Sequence, residues 1–187
     1  MGKNAHAKLL KSFREAPRSI LIGTQMVAKG HDFPDLTLAA VVLADQMLGR
    51  NDIRAAEKAF QLMTQAGGRA GRKDLAGRFF IQAFDIDHYA VRAASKQDYP
   101  AFLEDELAFR KALHYPPFSA RALLVISGED EAETRKSAGA IYRVLAAKPG
   151  GSILKPAKSP IYKLRGRYRW QILLRAPAKG GTRLLSG

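Results

Sequence analysis

The sequence predicts an α/β lobe with a parallel sheet, followed by a small α+β domain. Three observations predict it. Continuous apolar runs alternate with helical patterns in the first hundred residues. A tandem proline breaks the chain at "YPPFS" (115–119). A long stretch near the end then switches to strict period two. Continuous runs suit strands covered on both faces, and period two suits a strand with one covered face.

The elements follow in order. "SILIGT" (19–24) and "LTLAAVVLAD" (36–45) read as buried strands, with the punctuated loop "QMVAKGHDFPD" between them. Asp52 can cap a helix over 53–66 that carries Ala56, Phe60 and Met63 on one stripe. "GRFFIQAF" (77–84) is a third strand, and residues 88–97 and 101–113 read as helices. Glu104, Asp105 and Glu106 fall in the first turn of the second of these, where the helix dipole favours acids. The tandem proline cannot continue a helix and is expected to stiffen the chain as polyproline II. The division this gives is 1–98 as a partial lobe, 99–118 as a helical linker and 119–187 as a basic α+β domain. Within the last part, "ARALLVIS" (120–127) is a strand, a helix runs to about Ala147, and 159–176 forms two strands joined at Arg165-Gly166. Tyr168, Trp170, Ile172 and Leu174 alternate there with Arg169, Gln171, Leu173 and Arg175. That is one apolar face, a core reading for Tyr168 and Trp170, against one largely basic face.

Composition narrows the function. The chain has 187 residues, a formal net charge of +14 and 47% hydrophobic residues, so it is globular and strongly basic. There is no cysteine, which excludes disulfides and thiolate metal sites, and the four histidines show no ligand spacing, so no metal site is expected. No apolar run reaches a membrane span and "MGKNAHAKLLKSF" lacks a signal-peptide core, so a cytoplasmic protein is expected. The charge is uneven. Residues 119–187 hold 14 Lys/Arg against 4 Asp/Glu, and from Gly150 onward there are nine basic residues and no acid. Such a surface attracts phosphate backbones.

Two loops can carry chemistry. "TQAGGRAGR" (64–72) has Gln65, Arg69 and Arg72 in the spacing Q-x-x-G-R-x-G-R, with almost no side chains to pack a core. Glycine permits close approach to a ligand, and each guanidinium offers a planar fork matched to phosphate oxygens. "GTQMVAKGHDFPD" (23–35) follows the first expected strand at its carboxyl end, where open α/β sheets bind ligands. Thr24 can donate to a phosphate, Lys29 can attract one, and Gly30 permits close approach. Asp32 can accept from a ribose hydroxyl or position an arginine.

These stretches carry a family resemblance. "ILIGTQMVAKGHDFPDLTL" resembles motif V, and "FQLMTQAGGRAGR" motif VI, of superfamily 2 helicases. "DIRAAEKAFQL", "YPPFS" and "KLRGRYRWQILL" resemble the PriA family of primosomal replication-restart helicases, and the likeness covers nearly the whole chain. The resemblance implies a partial RecA-like lobe. In it Arg69 and Arg72 reach ATP and Mg²⁺ bound mainly by another lobe, Gln65 supports them, and Gly30 and Asp32 close the nucleotide side. Thr24, Gln25 and Lys29 would touch DNA. The C-terminal domain would bind branched or forked DNA, with Arg165, Arg167 and Arg169 as its candidates. The resemblance further implies a 3′-to-5′ motor that reloads the replicative helicase through primosome proteins, with single-strand-binding protein as a partner.

The chain departs from the family by lacking a Walker loop, a D-E-x-H box and the cysteines of the family's zinc insertion. It is therefore expected to be a C-terminal fragment that binds DNA without hydrolysing ATP. Gly67 stands where motif VI more usually has alanine, and is expected to loosen the loop slightly. Two other readings stay open. One is a standalone RNA-binding module without enzymatic activity. The other is a truncated, nonfunctional product with an exposed sheet edge and a broad melt.

Overall fold

The computed structural model describes residues 3–16, 18–28, 33, 35–49, 52–71 and 76–178, except the side chains of residues 3–6, 26 and 28. It is a mixed α/β structure with one parallel and one antiparallel sheet. The chain divides between Glu106 and Leu107 into two compact units.

In the first unit, α1 (Lys3–Glu15) and α2 (Gln25–Ala28) precede β1 (Leu38–Val41), α3 (Asp45–Leu48) and α4 (Ala55–Gly67). They are followed by β2 (Arg78–Ile81), α5 (Tyr89–Lys96) and the opening turns of α6 (Tyr99–Ala112). β1 and β2 pair in parallel, Leu38 opposite Arg78 and Val41 opposite Ile81. The link continues past the strands, where Ala44 N donates to Gln82 O and the Asp45 carboxylate accepts from the backbone of Phe84 and Asp85.

The core forms where α4 meets α5. Ala59, Phe60 and Met63 from α4 are buried with Ala90, Val91, Ala93 and Ala94 from α5 and Phe102 from α6. The alanines let the helix axes approach. Phe60 and Phe102 fill the remaining space, stacked with centroids 4.2 Å apart. The expected Asp52 cap is not formed: Arg54 is the N-cap of α4, the helix start has no side-chain cap bond, and Asp52 Oδ1 instead accepts from Arg54 N at 2.9 Å in the turn before it.

Three further sequence expectations are corrected. Residues 19–24 form no strand, and Ile20 and Ile22 are 87% and 89% exposed. Their apolar run was read rightly as apolar, but a strand also needs a neighbour to pair with, and none of the described strands lies beside it. Glu104, Asp105 and Glu106 are not in a first turn. Asp98 Oδ1 accepts from Ala101 N and α6 starts at Tyr99, so the acids fall a turn later. Glu106 is buried there and accepts from the Tyr89 hydroxyl. Finally, the Pro116–Pro117 bond is cis, and Phe118 N donates to Tyr115 O. The segment is a turn rather than polyproline II.

His88 caps α5, its Nδ1 accepting from Ala90 N at 3.2 Å. Burial pushes its pKa below the ordinary histidine value and outweighs the opposing pull of Asp85, Glu106 and Asp45. The folded state therefore favours the neutral ring, which is also the form whose nitrogen can accept the cap bond. That contribution is present above the ordinary value of about 6.5 and is lost as pH falls through the lowered folded value. Melting temperature should drop between about pH 7.5 and 5.5. His88→Asn, a capping residue that does not titrate, should show a smaller drop in parallel thermal melts.

The second unit comprises the end of α6, β3 (Ser119–Gly128), α7 (Glu131–Ala146), β4 (Ser152–Ile153), β5 (Ala157–Leu164) and β6 (Arg167–Pro177). β6 is central. β3 pairs antiparallel along one side of it, and β5 and β4 share the other side. Asp130 caps α7 by accepting from Glu133 N at 2.8 Å. α7 packs on β3 and β6, with Thr134 and Ala138 buried on the helix and Ile172, Leu174 and Ala176 buried on β6. The even-numbered face of β6 is thus covered, as the period-two pattern predicts.

Candidate functional site

The arginine loop grows out of α4. Gly68 N donates to Thr64 O at 2.9 Å and Arg69 N to Ala66 O at 3.2 Å, so the helix tightens as it ends. Gly71, at φ 76°, reverses the chain, and its N donates to Leu36 O at 3.1 Å. Arg78 N then donates to Thr37 O. These bonds hold the arginine loop against the segment that ends the other candidate loop. The meeting point is at the amino ends of β1 and β2, not at the carboxyl end of a strand over 19–24.

Close packing fixes the loop's base. A Cβ at Gly77 would meet the backbone of Ala70 and Gly71. One at Gly67 would sit 2.9 Å from the Phe79 ring. Gly67 is therefore the buried last residue of α4, a close-packing position where the sequence reading expected a loosened loop.

Gln65 is exposed on α4, and Arg69 is half-buried with no side-chain hydrogen bond or ion pair among the described residues. Thr24 and Gln25 are exposed at the start of α2, which packs against α4. Thr24 O accepts from Val27 N at 2.9 Å. Lys29, Gly30, Asp32 and Arg72 lie outside the described residues. Among the described residues no group of three His, Asp or Glu side chains is placed to hold a metal ion.

The second candidate region is the β5–β6 hairpin. Arg165 and Gly166 form its two-residue loop, both at positive φ (50° and 81°), the backbone of a type I′ turn. Arg165 is exposed at the tip. Arg167 is committed within the protein, its Nη1 3.2 Å from Glu129 Oε1 and its Nη2 donating to Ser127 O at 3.1 Å. Arg169 lies on the face of β6 away from α7 and has no partner among the described residues. Tyr168 and Trp170 point the other way and are half-buried around Tyr162, with ring centroids 5.7 and 6.3 Å from it. Lys163 Nζ sits 4.4 Å from the Tyr168 ring centroid, so these aromatics already have partners.

The open face holds two arginines that the sequence reading did not select. Arg121 of β3 stands opposite Arg175 of β6. Period two places Arg121, Leu123 and Val125 on one face of β3, but only the register reveals which side chain Arg121 meets. None of the four strands contains Asp or Glu.

Comparison with known proteins bears on both regions. Residues 111–186 match the family model described as the primosomal protein N C-terminal domain. The chain is 43% identical over 175 residues to replication restart protein PriA of Bacillus subtilis, covering 92% of this chain and 22% of the relative. It is 41% identical over 173 residues to the PriA of Rickettsia felis, covering 92% and 26%, and 39% identical over 179 residues to that of Synechocystis, covering 94% and 21%. The chain thus spans about a quarter or less of the length of the curated relatives it matches. Among the described residues no helix is long and apolar enough to cross a membrane.

Proposed function

Given that residues 111–186 match the primosomal protein N C-terminal domain model and that the chain aligns over nine-tenths of its length with replication restart protein PriA, we propose that it is the C-terminal segment of an ATP-dependent replication-restart helicase. Its basic second unit binds forked DNA. Its first unit forms part of a RecA-like lobe and presents Arg69 and Arg72 to a nucleotide held mainly elsewhere in the longer protein. Thr24, Gln25 and Lys29 touch the DNA backbone. Arg165 and Arg169 contact DNA from the second unit, whereas Arg167 serves the hairpin. In the longer protein these activities serve a 3′-to-5′ motor that helps reload the replicative helicase, with primosome proteins and single-strand-binding protein as partners.

Mg²⁺-ATP, when bound, supplies the phosphoryl group to be transferred. What this chain adds is the placement of a guanidinium. The Arg69 backbone is fixed by the tightened end of α4, so its side chain reaches from a set origin. Neither a Walker lysine nor a magnesium-binding carboxylate motif is in the sequence, so the chain by itself should not hydrolyse ATP.

The observation that carries the binding reading is the sheet without an acid, in a unit whose residues 119–187 carry 14 Lys and Arg. Titrating forked and linear DNA by fluorescence anisotropy tests it. With about four phosphate contacts, affinity should fall roughly a hundred-fold between about 50 and 200 mM salt, because each contact releases counterions. The fork should bind more tightly than the linear duplex. Salt-insensitive binding, or none near the lower salt, would count against the proposal. A preference for structured RNA would favour the RNA-binding module instead.

A further inference from the structure

The cross-strand arginine pair is anomalous as a structural feature. Like charges directly opposite on an antiparallel pair repel, and opposed side chains there have Cβ atoms only about 5 Å apart. Yet Arg121 and Arg175 share the open face at one register position. The Arg121 guanidinium carbon lies 4.6 Å from the centroid of the Tyr115 ring, which steadies it without neutralising it. Arg121 Nη1 and Arg175 Nε are shielded from solvent and have no hydrogen-bond partner among the described residues. Two donors cut off from water and left without an acceptor are costly unless an acceptor arrives from outside. The strands that make this face offer none of negative charge.

We infer that Arg121 and Arg175 together clamp one backbone phosphate of the bound nucleic acid on the open face of the sheet. The inference rests on the nucleic-acid reading above and adds to it a site. A phosphodiester supplies what both groups lack: charged oxygen acceptors that can serve two planar forks at once. Direction follows from the strand. Arg169 lies on the same face of β6, six residues from Arg175, or about 20 Å at 3.3 Å per residue. That distance spans about six base-pair rises along the axis of a duplex. Between these ends the face carries Leu123, 55% exposed, and Val125, 43% exposed, which can lie against sugars without opposing the phosphates. An acidic protein segment would also bring anions. The separation of the two cationic ends by an uncharged stretch favours a backbone with evenly spaced charge.

The test uses the full chain with Arg121→Gln/Arg175→Gln, read by fluorescence anisotropy on a forked DNA. Losing that one phosphate contact should weaken binding about 8-fold at about 0.1 M salt and reduce the slope of log K against log salt by about 0.9. The melting temperature should stay level or rise, because a repulsive pair has gone. Arg121→Lys/Arg175→Lys should restore most of the salt slope but not the full affinity, since the forks are lost and the charges kept. If wild type binds DNA and the glutamine variant matches it in affinity and slope, the clamp is overturned and the binding proposal stands. If wild type does not bind, both fall. A lowered melting temperature in the glutamine variant would mean that the pair serves the fold, and polyglutamate competing as well as DNA would mean that the face reads acidic protein. Either result overturns the clamp.

Discussion

Alanine in place of Arg69 and Arg72, within a full-length PriA-type protein carrying this segment, is expected to lower DNA-stimulated ATP hydrolysis by about 10³-fold or more. The expectation follows from how Arg69 is delivered. Its backbone closes the last turn of α4 through Ala66, two residues before Gly71 ties the loop to Leu36. The loop's return path passes Gly77, which leaves no room for a side chain against Ala70 and Gly71. A guanidinium launched from so constrained a base loses little freedom when it meets a transferring phosphoryl group, which is where such a residue acts. Arg69 has no partner among the described residues to draw it away. Single-turnover hydrolysis and DNA affinity measured on the same protein separate the roles. Hydrolysis should collapse while DNA binding holds. Arg69→Lys should recover only a small part of the rate, because a point charge does not reproduce the fork. Full turnover in the double alanine variant would remove the nucleotide role from this loop and leave only its likeness to motif VI.

Much of the fold was legible because burial writes itself into periodicity. Ala56, Phe60 and Met63 announced α4, and Met63 is indeed fully buried. The alternation from Tyr168 to Arg175 announced β6 and its covered face, and Arg165-Gly166 marked the hairpin loop. What failed was whatever depended on a partner distant in sequence. The run at 19–24 had strand character but no neighbour. Glu106 looked like a solvated helix acid until Tyr89, seventeen residues earlier, was found donating to it in the interior. The same limit hid the most unusual feature of the second unit. Arg175 was visible as one of several outward basic residues, and Arg121 as one position in an apolar strand. Their opposition is a fact of register, which no local pattern encodes. Arg167 shows the same limit from the other side. It looked as free as Arg165 and Arg169, and its ion pair with Glu129 depends on how the β3–α7 turn folds over the hairpin. At the arginine loop the sequence supplied the chemistry and the spacing, and the structure supplied the anchoring to Leu36 that brings two loops together.

Ile172→Asp should unfold the second unit and abolish nucleic-acid binding with it. Ile172 is fully buried at the centre of β6, opposite Leu124 of β3, on the face that α7 covers with Thr134 and Ala138. The arginines of β3 and β6 at this level of the sheet point the other way, and Lys158, opposite Trp170 on the covered face, is already paired with Glu131. Burying it unpaired costs several kcal/mol, and the total stability of a domain is only about 5–15 kcal/mol. Ile172→Val removes one methylene and should cost about 1 kcal/mol, which shows that the loss comes from charge rather than shape. Circular dichroism should report reduced strand signal in the aspartate variant at a temperature where the valine variant is still folded. DNA affinity should follow the fold, near wild type for valine and absent for aspartate. A variant that has lost the sheet and still binds DNA with the wild-type salt slope would move the interface off the open face altogether. The basic residues of the second unit would then act as unfolded chain charge, and neither the clamp nor the register that forms it would be needed.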